Sequence, residues 1–123
     1  MPKILIVEDY ANIQRVYETA LIREGYNVTV ASDGKEALEL VDRYEPDLIL
    51  LDLLMANVGG LEFLHEYDVP KHPHTKVIVF SNLFSPELAK EARELGANKY
   101  LIKSKYTPKE LVEVIKETLV KPN

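Results

Sequence analysis

Cysteine is absent from the 123 residues, and histidine is limited to three. Without Cys there is no disulfide framework, no thiolate nucleophile and no Cys-ligated zinc, and a reducing compartment fits. Long apolar runs are missing too. The chain opens Met1-Pro2-Lys3 and its first apolar run is only Ile4 to Val7, too short for a signal peptide or a membrane span. Positive charge is in deficit, with 15 Lys and Arg against 20 Asp and Glu for a net charge of −5. That balance argues against direct binding to nucleic acid or an anionic membrane, both of which need clustered cations. Neither G-x-G-x-x-G nor G-x-x-x-x-G-K-S/T occurs, which disfavours dinucleotides and nucleoside triphosphates. What remains is the expectation of a cytoplasmic protein with one domain over residues 1–123, long enough to bury a core.

Four short apolar runs punctuate the chain: Ile4–Val7, Leu48–Leu51, Val77–Phe80 and Tyr100–Ile102. Runs of this length and character read as strands buried on both faces, the habit of parallel sheets. Tyr26–Val30 alternates apolar and polar residues, as an edge strand with one wetter face does. Helical spacing lies between them. Ile13, Val16, Tyr17, Ala20 and Leu21 share one face, with Gly25 as the stop; Ala37, Leu40, Val41 and Tyr44 share another, opened by Asp33 and Glu36 as a capping box. Leu61 and Leu64 mark a short third helix. Ser85-Pro86 opens a fourth that stops at Gly96, and Thr107-Pro108-Lys109-Glu110 opens the last. The expected class is α/β: a (βα)5 three-layer sandwich around a parallel five-stranded sheet with right-handed crossovers.

Ligands of such folds sit beyond the C-terminal ends of the strands. There the first apolar run ends in Glu8-Asp9, the third strand in Asp52, the fourth in Ser81-Asn82 and the fifth in Lys103-Ser104. Any one acid there serves as an ordinary helix cap. Three converging from neighbouring strands need another explanation, because two like charges about 4 Å apart repel by roughly 4 kcal/mol at an effective dielectric of about 20. An all-oxygen cluster with no His or Cys selects a hard cation, and Mg²⁺ suits a few carboxylates plus water. Mg²⁺, an exposed carboxylate, a hydroxyl and a lysine together are the parts that phosphoryl transfer needs.

Ile6-Val7-Glu8-Asp9, Leu51–Met55 followed by Gly60-Leu61-Glu62, Val79-Phe80-Ser81 and Gly96–Lys103 resemble, in order and spacing, the receiver domain of two-component response regulators. The resemblance covers essentially the whole chain and implies the flavodoxin-like strand order 2-1-3-4-5. It implies that Asp52 accepts a phosphoryl group from the phosphohistidine of a sensor histidine kinase or a phosphotransfer protein. It implies a Mg²⁺ site formed by Asp9 directly, Glu8 through water, Asp52 and the backbone carbonyl of Leu54. Lys103 and Ser81 would contact the phosphoryl group, and Tyr100 would be the aromatic switch that follows Ser81. The implied partner surface, for a downstream protein or a homodimer, is the fourth helix, fifth strand and fifth helix. Lys99 stands where DNA-binding members often carry an acid, so their dimer is not assumed.

Several positions depart from the family pattern. Lys103-Ser104 replaces the usual Lys-Pro with its cis peptide, which predicts either a retained cis bond or a trans bond with a shifted loop; a non-proline cis bond costs about 2.5–4 kcal/mol. A trans bond that took Lys103 out of reach of Asp52 would weaken the assignment. Ala56 replaces a frequent proline, and Asn82 a small residue, where it crowds the phosphate entrance or hydrogen-bonds beside it. Leu54 and Leu83, two residues beyond Asp52 and Ser81, are apolar walls that cannot orient a water, which predicts slow loss of the phosphoryl group. His65, His72 and His74 make no metal set, and Met55 reads as core.

Two other functions share parts of this pattern. A Mg²⁺-dependent phosphohydrolase with an aspartate nucleophile usually has a second Asp two residues on, where this chain has Leu54. A flavin carrier would want a hydroxyl- and Gly-rich loop after the first strand, whereas Glu8-Asp9-Tyr10 repels a phosphate that lacks a bridging cation. Five βα units use up the chain, so a protein acting alone is expected, or a domain whose linker begins at Lys121-Pro122-Asn123.

Overall fold

The computed structural model describes residues 1–55 and 57–120. Ala56 and the Lys121-Pro122-Asn123 segment, both singled out in the sequence, lie outside the described residues. Elements alternate as β1 (Lys3–Val7), α1 (Ala11–Arg23), β2 (Asn27–Ala31), α2 (Gly34–Val41), β3 (Leu48–Leu51), α3 (Gly60–Tyr67), β4 (Lys76–Ser81), α4 (Pro86–Glu94), β5 (Lys99–Ile102) and α5 (Pro108–Val120). All neighbouring strands pair in parallel in the order β2-β1-β3-β4-β5. The class is the one expected from the apolar runs, and the order is the one the family resemblance implied.

Alternation along each strand sends successive side chains to opposite faces. Leu5, Val7, Ile49, Leu51, Val77 and Val79 meet Ala37, Val41, Phe63, Leu64 and Ala92 from α2, α3 and α4. Ile4, Ile6, Leu48, Leu50, Ile78 and Phe80 meet Leu21 from α1 and Leu111, Val112 and Ile115 from α5. With apolar side chains on both faces, the central strands are wholly buried. β2, at the edge, stays half-exposed along most of its length.

Local signals behave as capping chemistry predicts, with one correction. Ser85 Oγ accepts from Leu88 N at 3.1 Å. Thr107 and Glu110 exchange both bonds of a capping box, at 2.9 and 3.1 Å. At α2, Asp33 Oδ1 accepts from Glu36 N at 2.8 Å, but Glu36 reaches past Asp33 to Ser32 N at 2.6 Å. Its longer reach satisfies the donor one residue earlier, so this pair is half a capping box. β2 also begins one residue later than the alternating pattern suggests and ends at Ala31. Gly25 and Gly96 follow α1 and α4 with φ of 92° and 112°, the left-handed stop that glycine permits. The long connection after α3 contains a 3-10 turn over Val69–Lys71.

Candidate functional site

Parallel pairing carries the strand tips to one edge, and the ladder holds them there. Asp52 N donates to Val7 O and Glu8 N to Ala31 O, both at 3.0 Å, so the backbones of both acids continue the sheet one residue beyond the strands. Each of three tips then makes the same local turn. The side chain accepts from the amide two residues on: Tyr10 N to Glu8 Oε2, Leu54 N to Asp52 Oδ1 and Leu83 N to Ser81 Oγ, each at 3.2 Å. These turns aim Glu8, Asp52 and Ser81 before any ligand arrives.

Glu8, Asp9 and Asp52 each offer a carboxylate oxygen within 4.8 Å of the others. Glu8 and Asp52 are buried and Asp9 is exposed, so the cluster opens to solvent on one side. Lys103 closes the other side. Its Nζ lies 2.5 Å from Glu8 Oε1 and 3.1 Å from Asp52 Oδ2, and 5.9 Å from the centre of the Phe80 ring. Burial pushes the Lys103 pKa down, yet the hydrogen bond to Glu8 and the charges of Asp52 and Glu8 outweigh it, and the ammonium is held above its ordinary range. Burial drives the Glu8 carboxyl up, against the pull of Lys103. One ammonium thus serves two acids of a trio, leaving an oxygen set that suits a hard divalent cation.

The Lys103–Ser104 peptide is trans, as is every peptide among the described residues. Lys103 nonetheless reaches Asp52, because residues Lys103–Lys105 form a 3-10 turn immediately after β5. Of the two geometries open to this bond, the trans one is present, with the lysine still in the site. Asn82, expected to crowd the entrance or bond beside it, does the latter: its Oδ1 accepts from Ser104 N at 2.8 Å.

Asp9, Asp52, Leu54, Ser81, Asn82, Leu83 and Lys103 line one open cleft of about 370 Å³, which Tyr10, Ile13 and Met55 complete. Leu54 and Leu83 stand at its rim, 68% and 42% exposed. Met55, read as core, is also part of that wall, although it packs against the α2–α3–α4 side as well. Tyr100 lies beside the cleft rather than in it: its hydroxyl donates to Leu83 O and its ring meets Phe84 edge-on at 5.4 Å. Burial and the Asp52 charge both raise its pKa.

Two positioning contacts carried no signal in the sequence. Gln14 Nε2 donates to Glu8 O and lies 3.4 Å from Ser32 Oγ, bracing the β1–α1 turn from the first turns of α1. Asn57, at φ of 61°, donates to Asp33 Oδ2 at 2.6 Å and ties the segment after Asp52 to the α2 cap. Only tertiary folding brings these partners together. Among the described residues no helix is long and apolar enough to cross a membrane.

Known proteins agree with this geometry. A family profile for the response regulator receiver domain matches residues 4–116. The chain is 38% identical over 121 residues to a probable transcriptional regulator, ycf27, of Porphyridium aerugineum, covering 95% of this chain and 48% of that protein. It is 36% identical over 103 residues to the response regulator ArlR of Staphylococcus saprophyticus, covering 84% of this chain and 46% of that one. The chain therefore spans about half the length of these relatives. A CheY-like response regulator receiver domain protein from Methanospirillum hungatei superimposes with a TM-score of 0.91 at 30% identity, over 97% of this chain and 94% of that one. Vibrio cholerae chemotaxis protein CheY4 does so with 0.88 at 28%, over 96% and 98%. With the profile covering most of the chain and the strand tips assembled as described, the chain belongs to the response regulator receiver family.

Proposed function

We propose that residues 1–123 act as a phosphorylation switch in which Asp52 is the phosphoryl acceptor. One observation carries the reading: a buried carboxylate that lines an open cleft, held by its own turn and by Lys103, offers an oxygen within 4.8 Å of two further acids. Glu8, Asp9 and Asp52, with the Leu54 carbonyl, would hold Mg²⁺. Bound there, the ion would offset charge on the equatorial oxygens of the transferring group. The remaining work falls to the chain's own residues. An Asp52 oxygen attacks phosphorus, the new bond is O–P, and the P–N bond to the donor histidine breaks as the imidazole leaves. Lys103 stabilises the phosphoryl oxygens by charge, and Ser81, freed from Leu83 N, donates a hydrogen bond to them.

A phosphoryl group brings about −1.5 to −2 charge. It shifts the fold only through contacts that differ between two states. The Ser81–Leu83 turn and the Tyr100 bond to Leu83 O meet in one loop, so drawing Ser81 toward phosphate breaks or re-forms both. The partner surface is accordingly α4–β5–α5, where Phe84, Arg93, Lys99 and Tyr100 border a shallow groove. A sensor kinase or phosphotransfer protein upstream, a downstream protein or a second copy at this face, and a cytoplasmic setting complete the proposal, with neither nucleic acid nor membrane as a direct ligand.

The phosphohydrolase reading is not favoured, because Leu54 stands where its general acid belongs. Incubation with phosphoramidate and, separately, with a phosphate ester, each with Mg²⁺ and with a chelator in its place, separates the two. One phosphoryl group per chain, only with the cation, is the expected result; continuous turnover of phosphate esters contradicts it.

A further inference from the structure

The β5–α5 turn that carries Lys103 has little of its own to hold it. It is a single 3-10 turn without a buried residue, and its closing bond, Tyr106 N to Lys103 O, spans 3.4 Å. A lysine has four rotatable side-chain bonds, so its ammonium is fixed on two acids only if the backbone beneath it is fixed. The bond from Ser104 N to Asn82 Oδ1, at 2.8 Å, fixes it from outside the turn. Asn82 is itself placed by the turn that Ser81 Oγ makes with Leu83 N. One amide side chain therefore joins the loop bearing the site's hydroxyl to the loop bearing its ammonium.

We propose that Asn82 is a positioning residue for Lys103: by accepting the Ser104 amide it clamps the β4–α4 loop to the β5–α5 turn and seats the ammonium between Glu8 and Asp52. The chemistry assigns each end of the bond. The Ser104 N–H donates and the oxygen end of the Asn82 amide accepts, in a bond at the solvent-exposed edge of both loops. The inference rests on Asp52 as phosphoryl acceptor for its kinetic consequence, but not for the clamp itself.

Asn82→Leu keeps the size of the side chain and removes the acceptor, and Asn82→Asp keeps the acceptor. Four measurements test the clamp: the rate of phosphorylation by phosphoramidate, the affinity for Mg²⁺ by calorimetry, hydrogen exchange at the Ser104 amide, and the same substitution in a Lys103→Met background. Asn82→Leu should slow phosphorylation by roughly 2- to 10-fold, the range of one ordinary hydrogen bond. It should also speed exchange at Ser104, whereas Asn82→Asp restores that protection. Mg²⁺ affinity should hold or tighten, since a loosened ammonium no longer competes for Glu8 and Asp52. In Lys103→Met the substitution should add no further slowing. Mg²⁺ affinity that falls together with the rate would mean a collapsed pocket and overturn the proposal, as would slowing that persists without Lys103 or Ser104 exchange that ignores Asn82. A wild-type protein that takes no phosphoryl group would sink the receiver reading instead, leaving the Mg²⁺ and exchange measurements to decide the clamp.

Discussion

Leu54 and Leu83 bring bulk but no hydrogen-bonding side chain to the rim of the cleft. Hydrolysis of an aspartyl phosphate needs a water placed in line with phosphorus, and neither side chain can orient one. Shortening either wall, as Leu54→Ala or Leu83→Ala, is expected to speed spontaneous loss of phosphate by roughly 2- to 10-fold, about 0.4–1.4 kcal/mol of barrier. The half-life of the phosphorylated protein checks this, and an unchanged half-life in both variants removes the shielding idea. Glu8, Asp9, Asp52, Ser81 and Lys103 are readable from sequence because each lies within two residues of the end of an apolar run, and parallel topology does the rest. Asn82 was readable only as an anomaly. Its partner, Ser104, is 22 residues away, and their meeting depends on how two loops fold over the sheet edge.

Loops and helices at the sheet edge constrain the site through close approaches that small residues allow. A Cβ on Gly60, the first residue of α3, would stand 2.6 Å from Asp52 O and 2.7 Å from Leu53 Cα, all backbone that cannot swing aside. Gly60 N also donates to Leu53 O at 3.1 Å, so α3 begins directly against the strand tip that carries Asp52. Gly60→Ala is therefore expected to destabilise the protein by about 1–3 kcal/mol, as overpacking does, and to slow phosphorylation by shifting Asp52. Urea unfolding and the phosphoramidate rate check the two effects; an unaltered urea midpoint would show that α3 moves away freely. Helix starts at Ser85 and Thr107 could be read from their residue types, since capping is local chemistry. The half-formed box at Asp33 could not, because whether Glu36 reaches Asp33 N or Ser32 N depends on how the preceding residue leaves β2.

Over the whole molecule, two cores on opposite faces of one sheet join the strand tips to all five helices. Folding therefore brings together acids that repel, and Lys103 relieves only part of that repulsion. A cation that binds the folded chain and not the unfolded one must stabilise it, by about 2.7 kcal/mol at 100 times its dissociation constant. Mg²⁺ should raise the urea midpoint of the wild type and have far less effect on Asp9→Ala, the variant that loses the exposed carboxylate of the cluster. Equal stabilisation of both would place the cation elsewhere. The deficit of positive charge in the composition takes on a local meaning here: most acids lie on solvated helix faces, while three gather where a divalent cation makes them tolerable.

Intact mass after incubation with phosphoramidate and Mg²⁺, for the wild type and Asp52→Asn side by side, tests the central claim most directly. A single adduct of about 80 Da on the wild type, absent from Asp52→Asn, is the predicted result. An adduct that persists in Asp52→Asn, or a wild type that gains none, would contradict it.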